Sequence, residues 1–258
     1  LLSRRQRQMC IRDRLYIDTE NGQEQIMDRF IQSSINKTKK ELYSGEYDKL
    51  EAKHLRKLAR FGVELVVERV PAMITNTTYI REKIIQLRNQ GIDIKVLMVD
   101  YAGKLASIAG DREDFERISN VYIDLSNLAE EMKLDIIWTA HHITREGKKH
   151  RKTRYDENDI SGSIAIVRNA QVIMGLNATE QEERDDILRA EIVVQRDGLP
   201  SGRALFKCST ETQRCTEFTR EQRKEYDRVY GEQLDNSLKS SSNPDANMEK
   251  YNKKQGDI

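Results

Sequence analysis

Apolar and polar residues follow two different periods along the middle of this 258-residue chain. Short apolar runs predict β-strands, whereas apolar residues recurring every three or four positions predict amphipathic helices. We predict strands at 15–19, 62–70, 96–100, 135–140, 170–176, 190–194 and 203–208, and helices at 23–35, 77–89 and 115–132. Because the two kinds of element alternate, we expect an α/β fold: a wound, mostly parallel sheet flanked by helices, with an antiparallel edge hairpin around residues 200–202.

Two details of this pattern can be checked in a structure. The run 135–140 has consecutive apolar residues at 136–138, and we predict that it forms a buried strand. Thr77 and Thr78 begin the helix 77–89, and their hydroxyl groups are expected to cap it, with Gly91 just beyond its end.

The two ends of the chain differ from this middle part. Residues 1–14 carry five arginines without a clear period, as in a basic amphipathic helix, a targeting segment or a non-native segment such as translated adapter sequence. We favour the non-native interpretation and expect that the true N-terminal part is missing. The ordered domain then spans 15–218, a charged helical extension spans 219–236, and residues 237–258 are too polar to form a core and are expected to be disordered.

Composition limits the classes of function. Charged residues make up 34% of the chain, yet the net charge is only +1, so attraction to nucleic acid requires a local basic patch. No apolar run reaches the roughly 18 residues that a membrane span needs. The three cysteines suggest neither a disulfide framework nor a complete zinc site, which favours a reduced, cytoplasmic protein.

Polar side chains follow several predicted strands. Asp100 ends the third strand, Glu20 follows the first, His141 and His142 follow the fourth, and Arg196 follows a later one. Parallel strands bind ligands at their carboxyl ends. A carboxylate that polarises water, an Asp that holds Mg²⁺, a polar sensor of the γ-phosphate and an arginine that stabilises developing charge together suit ATP hydrolysis.

Each of these residues also has an ordinary structural interpretation. Asp100 and Glu20 can end a strand or cap a helix. His141 and His142 can be loop residues or metal ligands, although no further ligand follows at zinc spacing. Arg196 can be a solvated turn residue beside Asp197.

The order and spacing of these motifs resemble the DnaB-like hexameric replicative helicases, including their phage members, which have a RecA-type motor domain. The similar segments, which together cover about 15–218, are YIDTE (16–20) with EQIMDRF (24–30), VLMVDY (96–101), TAHHITR (139–145), SGSI (161–164) and QRDGLPSG (195–202). The resemblance implies a P-loop NTPase core that uses ATP and Mg²⁺, a homo-oligomer in the form of a hexameric ring, and single-stranded DNA as substrate. A primase and a helicase loader are its further implied partners.

The resemblance also implies a role for each candidate residue. Glu20 matches the catalytic carboxylate, and Asp100 matches the Walker B aspartate that holds Mg²⁺. His142 lies where relatives place a Gln or His that senses the nucleotide. Arg196 matches the arginine finger, which reaches the ATP bound by a neighbouring subunit. Nucleotide contacts are thus implied for Asp100, His142 and Arg196.

The chain departs from the family pattern in three places. The phosphate-binding loop Gly-x-x-x-x-Gly-Lys-Ser/Thr is absent from the sequence, so we expect this chain alone to bind ATP poorly and to hydrolyse it slowly or not at all. Val194 replaces the lysine that precedes the finger by two residues. Asp159 and Ile160 replace the charged pair before SGSI, so a DNA contact cannot be transferred there.

A basic segment follows the fourth strand. Six of the ten residues at 145–154 are lysine or arginine, and those we predict to bind DNA are Lys148, Lys149, Arg151, Lys152 and Arg154. Cations in a flexible loop suit sequence-independent phosphate contacts that weaken with salt. The alternative is a solvated charged loop. At the level of the whole protein, the alternatives are a RecA- or RadA-type recombinase and a non-catalytic DNA-binding assembly protein.

Overall fold

Four parallel strands form the central sheet. The computed structural model describes residues 13–60, 62–109, 113–143, 159–160, 163–197 and 202–241. The strands are β1 (Asp13–Asp18), β2 (Leu65–Arg69), β3 (Ile94–Asp100) and β4 (Ile136–Thr139), in the order β2-β1-β3-β4. All three pairings are parallel, as predicted. Tyr16 lies opposite Met98, and Asp18 lies opposite Asp100, so the ends of β1 and β3 coincide.

The helices α4 (Thr77–Asn89) and α5 (Asp114–Glu131) contribute to the main core, with apolar side chains from the strands. Ile80, Ile84 and Leu87 recur at helical spacing and are buried. The predicted threonine cap of α4 is wrong, because the side chain of Asn76 accepts the first amide hydrogens instead. An Asn at this position satisfies N–H groups that the helix itself leaves unpaired.

The helices α1 (Gln23–Ile35), α2 (Lys39–Leu42) and α3 (Tyr47–Arg60) follow β1. The ring of Phe30 from α1 meets the ring of Tyr16 edge-on, with centroids 5.5 Å apart. His54 of α3 is buried and lies 2.6 Å from the Ser34 hydroxyl, which joins α3 to α1. Burial lowers the pKa of His54, so its imidazole favours the neutral form.

Strand β4 lies at an edge of the parallel sheet and is only half buried. Ile136 and Trp138 are 44% and 48% exposed, whereas Ile137 packs against the main core. The prediction of a buried strand at 135–140 is therefore wrong. Apolar residues occupy both faces of β4, but the described residues cover mainly one of them.

The antiparallel part is a four-stranded sheet rather than a single hairpin. It consists of β5 (Val172–Asn177), β6 (Ile187–Gln195), β7 (Arg203–Ser209) and β8 (Arg214–Glu217), paired in that order. Two short helices, α6 (Ser163–Asn169) and α7 (Glu180–Arg184), precede β5 and β6. Cys208 and Cys215 face each other across β7 and β8 and form a disulfide, so the expectation of reduced cysteines is wrong for this pair.

The C-terminal helix α8 (Arg220–Ser241) packs on the antiparallel sheet through two aromatic residues. Tyr226 and Tyr230 are buried and stack on each other at 4.8 Å, beside Ile187 and Leu205. Tyr226 donates a 2.5 Å hydrogen bond to Glu182, which in turn pairs with the fully buried Arg189 at 2.8 Å. No helix among the described residues is long and apolar enough to cross a membrane.

Candidate active site at the strand ends

The carboxyl ends of β1, β3 and β4 lie side by side and carry three of the predicted site residues. Asp100 is the last residue of β3, Glu20 follows β1 by two residues, and His142 follows β4 by three. Thr19 joins two of these ends, because its amide and its hydroxyl both donate to the Asp100 carbonyl oxygen, at 2.9 and 3.0 Å. The structure therefore brings these three residues to one edge of the sheet, as the sequence predicted.

Asp100 is held by a tyrosine of the neighbouring strand. The hydroxyl of Tyr16 donates a 2.9 Å hydrogen bond to Oδ2 of Asp100. Burial and this bond to a carboxylate raise the pKa of Tyr16, so the phenol stays a donor at neutral pH. Within the described part of the chain, no hydrogen bond to Oδ1 of Asp100 is seen, and the residue is half-buried at the sheet edge.

The loop that carries Glu20 is shaped by a residue that sequence analysis missed. Asp18 is fully buried, and its Oδ1 accepts hydrogen bonds from the backbone amides of Glu20, at 2.8 Å, and Asn21. Its Oδ2 accepts from the Asn21 side chain at 3.2 Å. Glu20 itself is exposed beside this turn. An aspartate that accepts from following backbone amides is a common turn device, and the order Asp-x-Glu-Asn is the only signal the sequence offered for it.

The donor set suits Mg²⁺. This ion takes oxygen ligands, keeps several waters and is usually held by one or two carboxylates together with substrate phosphates. Asp100 offers one such carboxylate oxygen. No group of three or more acidic, histidine or cysteine side chains that could hold a metal by themselves occurs among the described residues. A dedicated protein cage for a metal is therefore not seen among those residues.

The two histidines after β4 differ in their surroundings. His141 is half-buried, and its Nδ1 lies 3.4 Å from the hydroxyl of Tyr122 on α5. His142 is exposed, and its ring lies 4.7 Å from the ring of Tyr101. The more accessible of the two is thus His142, the residue that the resemblance favoured.

Arg196 lies elsewhere, immediately after β6 of the antiparallel sheet. Its backbone amide donates to the Gln171 carbonyl at 2.9 Å, and its guanidinium donates to the carbonyl oxygen of Arg168. These contacts fix it beside the segment that precedes β5. None of the described contacts joins Arg196 to Asp100 or Glu20.

The five predicted DNA-binding residues, Lys148, Lys149, Arg151, Lys152 and Arg154, lie outside the described residues. The flanks of their segment are described. Ile143, after β4, and Ile160 form an antiparallel bridge. The two described flanks therefore lie side by side, next to His142.

A separate polar cleft of about 590 Å³ lies between α1 and the turn joining β7 to β8. Asp28, Arg29, Gln32 and Glu211 are among its lining residues. Gln32 donates to the Glu211 carbonyl oxygen at 3.0 Å, which ties the turn to α1. None of the predicted site residues lines this cleft.

The model of the DnaB-like helicase C-terminal domain family matches residues 4–215. The chain belongs to this family. Members of the DnaB-like family are ATP-hydrolysing DNA helicases, so the chain carries the motor region of a replicative helicase. The family match gives no support to the recombinase or to the non-catalytic alternative.

Solved structures show the same fold. One solved ATPase domain is 16% identical, with a TM-score of 0.67 over 80% of this chain and 75% of that chain. A DnaB-like replicative helicase, solved to show its interactions with primase, is also 16% identical with a TM-score of 0.67, over 83% of this chain. The present chain spans about half the length of that second protein, 53%. No curated protein sequence matches.

Proposed function

We propose that the edge formed by β1, β3 and β4 is the ATP-hydrolysing site of a replicative helicase that moves along single-stranded DNA. The observation that supports this proposal is the coincidence of the β1 and β3 ends, where Thr19, the residue before Glu20, donates to the Asp100 carbonyl oxygen. Bound Mg²⁺ would neutralise phosphate charge at this edge. Asp100 would hold the ion through Oδ1, while Tyr16 fixes the other oxygen.

The remaining residues act on water and on phosphate charge. Glu20 is exposed on a turn held by Asp18, so its carboxylate can accept a proton from an attacking water. His142 is accessible at the end of β4 and can donate a hydrogen bond to a phosphate oxygen. Arg196 supplies a cation to the site of the next subunit, which requires a ring of several copies.

Hydrolysis can be tested in a form of the protein that also carries a Gly-Lys-Ser/Thr loop. We expect Asp100→Ala and Glu20→Gln each to lower kcat about 100-fold or more, because each removes a group that acts on the reacting atoms. Asp93→Asn, at the opposite end of β3, and Glu24→Gln, on α1, are matched controls that should keep turnover. Full turnover by Asp100→Ala would contradict the proposal.

The basic segment 145–154 would bind the DNA backbone. The Ile143–Ile160 bridge supports this proposal, because these two described residues flank the segment in sequence and Ile143 follows directly after His142. We expect the variant with Lys148 and Lys149 changed to Glu to bind single-stranded DNA more weakly, with a salt dependence reduced by about 0.7 per lost phosphate contact. Changing the exposed Lys39 and Lys40 to Glu alters net charge equally and should leave binding nearly unchanged.

The ring and its partners are further parts of the proposal. A primase is a candidate partner, because one structural neighbour was solved for its interactions with primase. A hexamer would bring Arg196 of one copy to Asp100 of the next. Mixing Arg196→Ala and Asp100→Ala proteins, both with the phosphate loop, should restore part of the ATPase activity. Each mixed ring then contains some interfaces with both native residues. No recovery in mixed rings would contradict action in trans.

A further inference from the structure

The ring of Tyr101 lies between the metal-binding strand end and the two histidines. Tyr101 follows Asp100 directly, and its ring meets that of His142 at 4.7 Å with an interplanar angle of 75°. The ring of His141 is 6.5 Å away at 87°. Both contacts are edge-to-face, an arrangement that aromatic rings favour. One side chain thus reaches from β3 across to the segment after β4.

The turn after Tyr101 leaves the ring little freedom. A Cβ atom at Gly103 would lie 2.8 Å from Cε2 of Tyr101 and 3.1 Å from its Cδ2, so the ring packs directly on the glycine backbone. The Ala102 amide donates to the hydroxyl of Thr139, the last residue of β4, at 2.9 Å. Arg117 of α5 donates to the Gly103 carbonyl oxygen at 2.9 Å. These contacts tie the turn to both β4 and α5.

The two histidines depend on Tyr101 to different degrees. His141 also contacts Tyr122, whose ring centroid is 6.2 Å away and whose hydroxyl lies 3.4 Å from Nδ1. Among the described residues, the ring of His142 contacts one other ring, that of Tyr101. His142 is otherwise exposed. The orientation of its imidazole therefore rests on Tyr101.

We propose that Tyr101 is a positioning residue that couples Asp100 to His142. Asp100 and Tyr101 share a peptide bond, so a shift of the Asp100 backbone displaces the Tyr101 ring and, through it, His142. His142 leads into the Ile143–Ile160 bridge and the basic segment beyond it. The role of this coupling in the protein rests on the proposed function. The ring contact itself can be tested without ATP.

Proton NMR can test the contact, because the chain has only four histidines: His54, His141, His142 and His150. Ring currents from Tyr101 displace the Hε1 resonance of His142. In Tyr101→Leu we expect this displacement to be lost, and in Tyr101→Phe to be kept, because the ring remains. Tyr79→Leu, which removes an exposed tyrosine beside Glu68, is the control and should leave the signal unchanged. A His142 Hε1 resonance that stays at its wild-type position in Tyr101→Leu would overturn the proposal.

Loss of fold is recognised from a second histidine. His54 is buried, contacts Ser34 and is distant in sequence from Tyr101 and His142. Its resonance therefore reports whether the protein is folded. If Tyr101→Leu unfolds, Gly103→Ala decides the question. Its added Cβ must displace the Tyr101 ring while every aromatic residue is kept. We expect the His142 resonance to move in this variant with His54 unchanged, and no movement would reject the coupling.

Titration with Mg²⁺ alone separates the coupling from the proposed function. In the wild-type protein we expect the Asp100 amide and His142 Hε1 to shift with one midpoint. In Tyr101→Leu, Asp100 should respond and His142 should not. A His142 response that survives in Tyr101→Leu would overturn the coupling. If the Asp100 amide resonance does not shift with Mg²⁺ in any variant, the metal site is contradicted. The ring contact is still decided by the Hε1 shifts of the variants without Mg²⁺.

Discussion

Tyr16 donates its hydroxyl hydrogen to Oδ2 of Asp100 across neighbouring parallel strands, at 2.9 Å. The bond fixes one oxygen of the carboxylate at the carboxyl end of β3. Phe30 packs edge-on against the same tyrosine, so α1 holds the donor in place. The position of the Asp100 carboxylate thus depends on β1, the strand that precedes Glu20.

Tyr16→Phe should weaken this arrangement without changing its shape. We expect the free energy of unfolding to fall by about 1–2 kcal/mol, because Asp100 loses a hydrogen-bond donor. The pKa of Tyr16 is raised in the folded protein, so its contribution is complete below pH 10.0 and is lost as the pH rises towards the folded value. Urea unfolding at pH 8 and at higher pH measures both effects. The loss of stability on raising the pH should be smaller in Tyr16→Phe than in wild type, and equal losses would contradict the prediction.

Asp18 and Glu20 are predicted to have separate effects. Asp18→Ala leaves the amides of Glu20 and Asn21 without their acceptor, and we expect a cost of about 2–3 kcal/mol in unfolding free energy. Glu20→Gln changes an exposed side chain and should alter stability by less than about 0.5 kcal/mol. Chemical denaturation measures both variants. Similar stability losses in the two would show that Asp18 does not support the turn.

The parallel sheet and the proximity of the Asp100 and Glu20 strand ends were predictable from the pattern of apolar residues. Apolar runs ending in Asp100 and near Glu20 mark parallel strands, and parallel strands share an edge, so the meeting of these residues follows. The role of Asp18 could not be predicted, because it depends on where the backbone turns after β1. Asn76 was missed as a helix cap for a similar reason: three polar residues in a row could each cap the helix.

Other differences arise from tertiary context. Helix α3 was not predicted because charged residues dominate it and its one fully buried side chain is His54. The antiparallel sheet was underestimated because β8 is a short, wholly exposed strand with no apolar alternation. In both cases, neighbouring elements stabilise a segment whose own sequence gives a weak signal.

The half-buried state of β4 gives a prediction for neighbouring residues. Ile137 packs in the main core, so Ile137→Ala should lower the unfolding free energy by about 2 kcal/mol. Trp138 points the other way and is 48% exposed, so Trp138→Thr should cost less than about 1 kcal/mol although it removes a larger side chain. Urea unfolding followed by circular dichroism is suitable, because Trp138 is the only tryptophan. A larger loss in Trp138→Thr would mean that β4 is buried on both faces.

The buried pair of Glu182 and Arg189 joins α7 to β6, and Tyr226 connects it to the C-terminal helix. Burial alone would raise the pKa of Glu182, but hydrogen bonds from Tyr226 and the Thr179 amide, with the charge of Arg189, outweigh burial and lower it. This contribution to stability is therefore present above pH 4.5 and is lost as the pH falls through the folded value.

Glu182→Gln should lower the unfolding free energy at pH 7 by about 3 kcal/mol, because the buried Arg189 loses the negative charge nearest to it. Its stability should also fall less steeply in acid than that of wild type. Glu225→Gln breaks an exposed pair with Arg228 on α8 and should leave stability nearly unchanged, because solvent screens this pair. Thermal unfolding between pH 3 and pH 7 compares the three proteins. If stability falls equally steeply with decreasing pH in wild type and in Glu182→Gln, other carboxylates govern acid unfolding.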